Sequence, residues 1–268
     1  RAVKIVFQEE IPDIQGVTLW SESDYKGTAA TLVPGEYNVN ELADFAVEAD
    51  TTSSVQVPEG YSLYIYDEGD NSGAYGIIEK DTASLGNWDD KIASVRVVKN
   101  VDVKATVEPE DGKTYQIVLR NNPDFVLEYN GPAENGANVQ IGEKADGAAN
   151  QQWTFTKVED CYKISPAANA EVCIDISDAS YQNGSNLLLW EYGEGADNRL
   201  WKLETTGSGY YAILSKGNNG FCMDESSDPA SDNANVHLWD YLYGDRQQWC
   251  LSEVEAAEPP AEDQETEA

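Results

Sequence analysis

The sequence predicts an all-β protein built in two parts, and three observations predict it. Gly (21), Tyr (15) and Trp (7) are plentiful, and these residues suit tight turns and pleated, half-buried surfaces. Apolar and polar residues alternate over short runs such as 17–20 and 63–66, while runs of Ala, Leu, Glu and Lys at helical spacing are missing. Each half of the chain also repeats itself, the first half twice and the second half three times.

With 268 residues the chain can hold two domains of ordinary size, each able to bury its own core. The division is expected at the polar stretch 99–112, which includes Pro109, Asp111 and Gly112. This gives a first domain over 1–100, a linker over 101–112, a second domain over 113–252 and an acidic tail over 253–268.

In the first domain one segment carries an apolar strand ending at Trp20, then Gly27, Tyr37 and a loop running from Ala49 through Asp50, Thr51 and Thr52 to Ser53 and Ser54. The second carries a strand ending at Tyr66, then Gly73 and a loop running from Asp89 through Asp90, Lys91 and Ile92 to Ala93 and Ser94. Each loop leads into a Val-x-Val strand, and Ser54 and Ser94 stand 40 residues apart, the spacing of a four-strand unit seen twice. These residues resemble the βγ-crystallin domain over most of 3–98. The resemblance implies two Greek-key motifs packed as a β-sandwich, a glycine folding each hairpin and a serine pinning it.

In microbial members of that family the acidic loops bind calcium, each site taking its hydroxyl from one loop and its leading acid from the other. Carried over, Ser53 with Asp89 keeps a complete pair, with Asp50 and Asp90 beside them. Ala93 with Ala49 loses both side chains. One usable calcium site and one dead or weak one are therefore expected, the cation being hard and satisfied by six to eight oxygens.

The second domain shows three units. An acid on the second strand and a closing tryptophan recur at Glu128 and Trp153, Asp175 and Trp201, and Asp224 and Trp249. Asn-rich turns precede the third strand in each unit, at 135–138, 183–186 and 233–235. No single unit could bury its apolar face, whereas three closing around a pseudo-threefold axis would. These residues resemble the ricin-B-type β-trefoil over 113–252. Its Gln-x-Trp triplet is intact at Gln151 to Trp153 and Gln247 to Trp249, and Arg199 replaces the glutamine in unit two. The fold expected for the whole chain is thus all-β: a Greek-key β-sandwich plus a β-trefoil.

The closing tryptophans are read as core, since one large ring at the same place in each repeat is what a shared core demands. The resemblance implies that the ligand contacts are an acid accepting two sugar hydroxyls, an aromatic stacking on the ring face, and an Asn/Gln pair near the triplet. A carboxylate makes charge-assisted bonds to O–H donors, and an aromatic covers the C–H face. Unit three supplies Asp224, Trp239 and Gln247, with His237 and Tyr241 nearby. Unit two supplies Asp175, Trp190 and Asn198, with Tyr192 nearby. Unit one offers Glu128, Gln140, Asn150 and Gln151, but Gly142 stands where the ring should be, and it is expected to be silent.

The charge is one-sided: 17 Lys+Arg against 49 Asp+Glu gives −32. Such a surface repels nucleic-acid phosphates and anionic lipid and favours cations and neutral ligands. No stretch approaches the roughly 20 apolar residues of a membrane span, so membrane insertion is not expected. The tail carries seven acids, two prolines and no base and reads as a solvated segment or a linker to another domain. The chain begins at Arg1, as a processed or shortened chain would, so a missing leader says nothing about secretion.

Cysteines stand at 161, 173, 222 and 250, and His237 is the sole histidine, too few ligands for a zinc site. An even count in a Trp-rich β protein suggests two disulfides and a secreted or surface location. Cys161 with Cys173 and Cys222 with Cys250 are the preferred pairs, other connectivities remaining open.

The function expected is that of a non-catalytic lectin whose partners are glycans or polysaccharide, with calcium as its cofactor. The alternatives are a self-associating structural protein of an extracellular coat or fibre, and the accessory binding part of a larger glycoside hydrolase.

Overall fold

The computed structural model describes residues 16–100 and 107–254. The first fifteen residues, the start of the expected linker (101–106) and the acidic tail from 255 onward lie outside the described residues.

The first half contains β1 (Val17–Glu22), β2 (Lys26–Leu32), β3 (Gly35–Tyr37), helix α1 (Val39–Asp44), β4 (Ser54–Gln56), β5 (Tyr61–Tyr66), β6 (Tyr75–Ile78) and β7 (Ser94–Lys99). One sheet has the order β2-β1-β4 and the other β3-β7-β5-β6. Strand β3 comes from the first motif but pairs with β7 of the second, the crossing that makes a Greek key. Leu19, Leu32, Leu63, Ile65, Val95 and Val97 fill the space between the sheets.

Both expected serine pins are formed. Ser54 Oγ donates to Glu22 O at 2.6 Å and accepts from Tyr25 N at 3.1 Å. Ser94 Oγ donates to Glu68 O at 2.5 Å and accepts from Asn71 N at 2.9 Å. Gly27 (φ 79°) and Gly73 (φ 84°) fold the hairpins that these serines hold, in the left-handed region that a side chain disfavours. Helix α1 was not anticipated. Its signal is a capping box, in which Asn38 Oδ1 accepts from Glu41 N at 3.1 Å and Glu41 Oε2 accepts from Asn38 N at 2.9 Å.

The second half contains β8 (Thr114–Leu119), β9 (Phe125–Tyr129), β10 (Val139–Glu143), β11 (Trp153–Val158), β12 (Cys161–Pro166), β13 (Val172–Ile176), β14 (Ser185–Glu191), β15 (Trp201–Gly207), β16 (Tyr210–Ser215), β17 (Phe221–Glu225), β18 (Val236–Asp240) and β19 (Gln248–Glu253). Strands β8, β11, β12, β15, β16 and β19 pair in a closed ring of six. The hairpins β9–β10, β13–β14 and β17–β18 cap it. The arrangement is a β-trefoil.

Threefold repetition extends to atoms. Tyr115 lies opposite Trp153, Tyr162 opposite Trp201 and Tyr211 opposite Trp249. The three indole N–H groups donate to Leu127 O (2.9 Å), Ile174 O (3.1 Å) and Met223 O (3.4 Å). All three tryptophans are fully buried, as the core reading expects. At the axis, Asn138 donates to Asn235, Asn235 to Asn186 and Asn186 to Asn138, at 2.9–3.0 Å. This closed ring of amides explains the asparagine repeated at or just before the start of each third strand.

The expected disulfides are not formed. Cys161, Cys173, Cys222 and Cys250 sit on four different strands, β12, β13, β17 and β19, with no disulfide among them. Cys161 Sγ approaches Asp160 Oδ1 at 3.6 Å and Cys173 Sγ approaches Trp190 O at 3.7 Å. Cys222 packs with Ala212 and Leu214. Cys161, Cys173 and Cys222 are buried, and in its apolar cluster Cys222 serves as a small hydrophobe.

The halves are clamped together on unit three. Edge strand β6 meets the loop between β18 and β19: Ile77 N donates to Tyr243 O at 2.8 Å and Trp88 Nε1 donates to Leu242 O at 2.8 Å. A Cβ on Gly76 would lie 2.6 Å from Leu242 O, so only glycine allows this approach. Beside it, Arg120 grips the buried Glu79 carboxylate through two nitrogens, at 2.8 and 3.0 Å. Ser208 Oγ also donates to Glu79, at 3.0 Å.

Candidate sugar sites and cation loops

In unit three, Asp224 on β17 is 6% exposed. Its Oδ2 accepts from Gln247 Nε2 at 2.6 Å, and Gln247 also donates to Asp240 O at 2.9 Å and accepts from Leu242 N at 2.7 Å. Gln247 is thus buried behind the acid, with its amide already engaged, and acts by holding Asp224. Burial pushes the Asp224 carboxyl up to about 6; the Gln247 bond and Arg246 oppose this, and Glu225 and Asp245 add to it.

His237 and Trp239 leave the neighbouring strand two residues apart and stack, with ring centres 5.1 Å apart and planes 25° apart. His237 Nε2 stands 3.8 Å from Asp224 Oδ1. Burial and then Arg246 push the histidine pKa below its usual 6.5, so at neutral pH the imidazole is uncharged. Acid, ring and histidine line a cavity of about 300 Å³. Tyr241 lies outside this lining and packs at a tilt against Tyr243, ring centres 4.3 Å apart and planes 44° apart.

Unit two has the same acid and ring on a different support. Asp175 on β13 is 4% exposed; Asn198 donates to its Oδ1, and Arg199 Nε lies 3.2 Å from its Oδ2. Burial raises this carboxyl above its ordinary range, and Arg199 and then Asn198 oppose the rise without cancelling it. Asn198 therefore holds this acid by a hydrogen bond, and Arg199, in the place of the missing glutamine, sets a counter-charge beside it. Trp190 is 42% exposed. Tyr192 lies beneath Lys163, whose Nζ is 5.4 Å from the ring centre. The structure brings Asp175, Asn198 and Arg199 together and leaves the ring open to solvent.

Unit one is filled by its own side chain. Glu128 Oε1 accepts from Gln140 at 2.9 Å, and Oε2 from Gln151 at 3.0 Å and Asn150 at 3.1 Å. Gly142 pairs with Val126 on the same hairpin register that sets Trp190 opposite Cys173 and Trp239 opposite Cys222. A Cβ on Gly142 would fall inside the Glu128 carboxylate. The longer acid occupies the place where the ring stands in the other units.

The two acidic loops of the first half face each other reciprocally. Asp50 N donates to Ile92 O at 3.0 Å, and Asp90 N to Thr52 O at 3.3 Å. Asp50 and Asp90 take matching left-handed conformations, φ 57° and 52°. Ser53 Oγ, buried, donates to Asp90 Oδ1 at 3.4 Å, so its contact is with the neighbour of Asp89. At the mirror position Ala93 offers no side-chain oxygen. Among the described residues no group of three or more His, Cys, Asp or Glu side chains could hold a metal. A cation would rest on the Ser53 hydroxyl, Asp89 or Asp90 and backbone carbonyls, an all-oxygen set of the kind a hard cation takes. These residues fit calcium on the Ser53 side and not on the Ala93 side.

The sequence reading missed the first-half residues that reach unit three. Gly73, Ala74, Tyr75 and Trp88 line the same cavity as Asp224, and Tyr75 O–H donates to Asp245 Oδ2 at 2.7 Å. The one available signal was Gly76, a glycine inside an apolar strand.

Comparison with known proteins divides along the same line. The family model described as "Ricin-type beta-trefoil lectin domain-like" matches residues 149–239 and 197–257. A designed threefold-symmetric protein, ThreeFoil, is 31% identical, with 53% of this chain covering 99% of that one at a TM-score of 0.49. A βγ-crystallin domain from Flavobacterium johnsoniae is 30% identical, with 33% of this chain covering 99% of that one at a TM-score of 0.32. Development-specific protein S of Myxococcus xanthus is 29% identical over 82 residues, 31% of this chain. The matching stretch spans 47% of that relative's length, about half.

Proposed function

Because the chain joins a βγ-crystallin-like domain to a ricin-B-like β-trefoil, we propose that it is a non-catalytic carbohydrate-binding protein with two working sugar sites and one calcium site. The observation that carries this reading is the recurrence of one constellation in two units. A buried carboxylate that accepts a side-chain amide N–H, from Gln247 or from Asn198, and a tryptophan on the adjacent strand occur at Asp224 with Trp239 and at Asp175 with Trp190. The carboxylate keeps lone pairs for two sugar hydroxyls, and the indole takes the apolar face. Gln247 and Asn198 position the acids, and His237 borders the unit-three ring. Unit one, filled by Glu128, binds nothing.

Each site is shallow and polar, so single-ring affinity should be near millimolar, roughly −4 kcal/mol. Two sites on one rigid trefoil raise the apparent affinity for a branched or polymeric glycan. Calcium on the Ser53 side would brace the loop that carries Trp88. A location outside the cell suits such ligands, and no described helix is long and apolar enough to cross a membrane. The domain limits 1–100 and 113–252 belong to the same proposal.

The test is a glycan and polysaccharide array probed with wild type, Trp190→Ala, Trp239→Ala and the double variant, each with calcium and with chelator. Each single variant is expected to keep part of the binding and the double variant to lose it, with Ser53→Ala matching the chelator effect. Wild-type protein that is folded and binds no glycan on the array would sink the proposal.

A further inference from the structure

The two working sites differ in one respect that the repeat cannot explain. The unit-two acid has its polar partners in the second half and its ring is open to solvent, whereas the unit-three cavity takes one wall from the first half. That wall is fixed on three sides. Ile77 N holds Tyr243 O at 2.8 Å, Gly76 is pressed against Leu242 O, and the Tyr75 hydroxyl holds Asp245. Trp88 adds a strut. Its indole N–H reaches Leu242 O, the Leu242 N–H reaches Gln247, and Gln247 holds Asp224. The first half therefore shapes the cavity directly through Tyr75 and steadies the acid indirectly through Trp88.

We infer that unit three is a two-domain site that takes the uncharged terminal ring of a glycan, with Tyr75 as the specificity-determining wall, while unit two takes rings within a chain. This rests on the carbohydrate-binding reading and deepens it. Size supports a single terminal ring, because about 300 Å³ lies at the floor of the roughly 300–1,000 Å³ of ligand pockets. Charge supports a neutral one. Asp224, Glu225, Asp228 and Asp245 border the cavity against a single cation, Arg246, and would repel a carboxylated sugar. Tyr75, 37% exposed, presents its ring to the cavity while its hydroxyl is tethered to the opposite domain, so a glycan continuing past the bound ring meets tyrosine where unit two offers open solvent.

The experiment uses the full chain with one working site at a time. In Trp190→Ala only unit three binds, and in Trp239→Ala only unit two. The probes are complex-type glycans ending in galactose and the same glycans capped with sialic acid, together with linear galactan and glucan. Binding is read by calorimetry on the probes that score. The unit-three protein should bind galactose-ended glycans and reject the capped ones by at least about tenfold, and the unit-two protein should prefer the linear polymers. Adding Tyr75→Ala to Trp190→Ala should weaken the terminal ring about tenfold and erase the discrimination against capped or internal rings. Tyr75→Phe should keep the ring's share and report the Asp245 tether, and melting curves of both Tyr75 variants check the fold. Equal binding of capped and uncapped glycans by the unit-three protein, or a Tyr75→Ala that changes neither affinity nor discrimination, overturns the two-domain site while leaving the lectin reading standing. Loss of all binding on wild-type protein overturns both.

Discussion

Units two and three of the trefoil bear the same aspartate and the same tryptophan, yet one acid is backed by an arginine and the other by a glutamine. The difference lies in what happens to the charge. Arg199 stands 3.2 Å from Asp175 and works against the burial that would protonate it. Gln247 offers Asp224 a hydrogen bond at 2.6 Å but no counter-charge, and burial lifts that carboxyl to about 6. A replacement that looks like decay of the Gln-x-Trp motif is better understood as a second solution to holding a buried carboxylate, with a different response to pH. The second difference is enclosure: the first half leans on unit three and leaves Trp190 of unit two in solvent.

The hardest test of that contrast removes the clamp. Arg120→Ala leaves the buried Glu79 carboxylate without its counter-charge, which costs about 3–5 kcal/mol, measured as a drop in the denaturant midpoint. In protein that still folds, unit three should lose its preference for terminal rings and behave like unit two.

A smaller effect follows from pH. An acid with a raised folded-state pKa favours the fold when protonated. The Asp224 contribution is complete below its ordinary 3.8 and is lost as pH rises through about 6. Arg246, Glu225, Asp245, Asp228 and His237 surround it and Gln247 backs it, so their charges belong to the same titration. Asp224→Asn should remove a loss of roughly 2 kcal/mol between pH 4 and pH 7, visible when unfolding midpoints are plotted against pH. Glycan binding at unit three should move the opposite way, strengthening as the carboxylate forms.

The smallest effect converts one site into the other. Arg199→Gln takes away the cation that opposes Asp175 protonation, so unit-two binding, read in the Trp239→Ala background, should become more acid-sensitive and fall about tenfold from pH 7 to pH 5. A pH profile left flat by this change would break the comparison.

Much of this architecture is written locally in the chain. The recurring acid and closing tryptophan predict the hairpin and barrel strand of each unit, and all three indoles take equivalent carbonyls as the repeat requires. Ser54 and Ser94 predict both hairpin pins. What escaped was of another kind. Contacts between the halves, such as Arg120 with Glu79 and Tyr75 with Asp245, join residues far apart in sequence and carry no periodic signal. The surroundings of Gln247 escaped for a related reason. A family motif names the residue, but its burial behind Asp224 shows that it supports the acid while its own amide is spent on the protein. The cysteines misled because an even count fits buried thiols as well as bridges.

Unit one shows that the order of mutations matters as much as their identity. Placing tryptophan at Gly142 first would drive its Cβ into a carboxylate held by three amides, breaking those bonds with no ligand to compensate. Shortening Glu128 to aspartate first draws the carboxylate back by one methylene and opens the space into which the indole could then grow. The same pair of changes is therefore harmful along one path and tolerable along the other, a sign-epistatic ratchet that allows a third sugar site to be lost in one step and regained only by two in the right sequence.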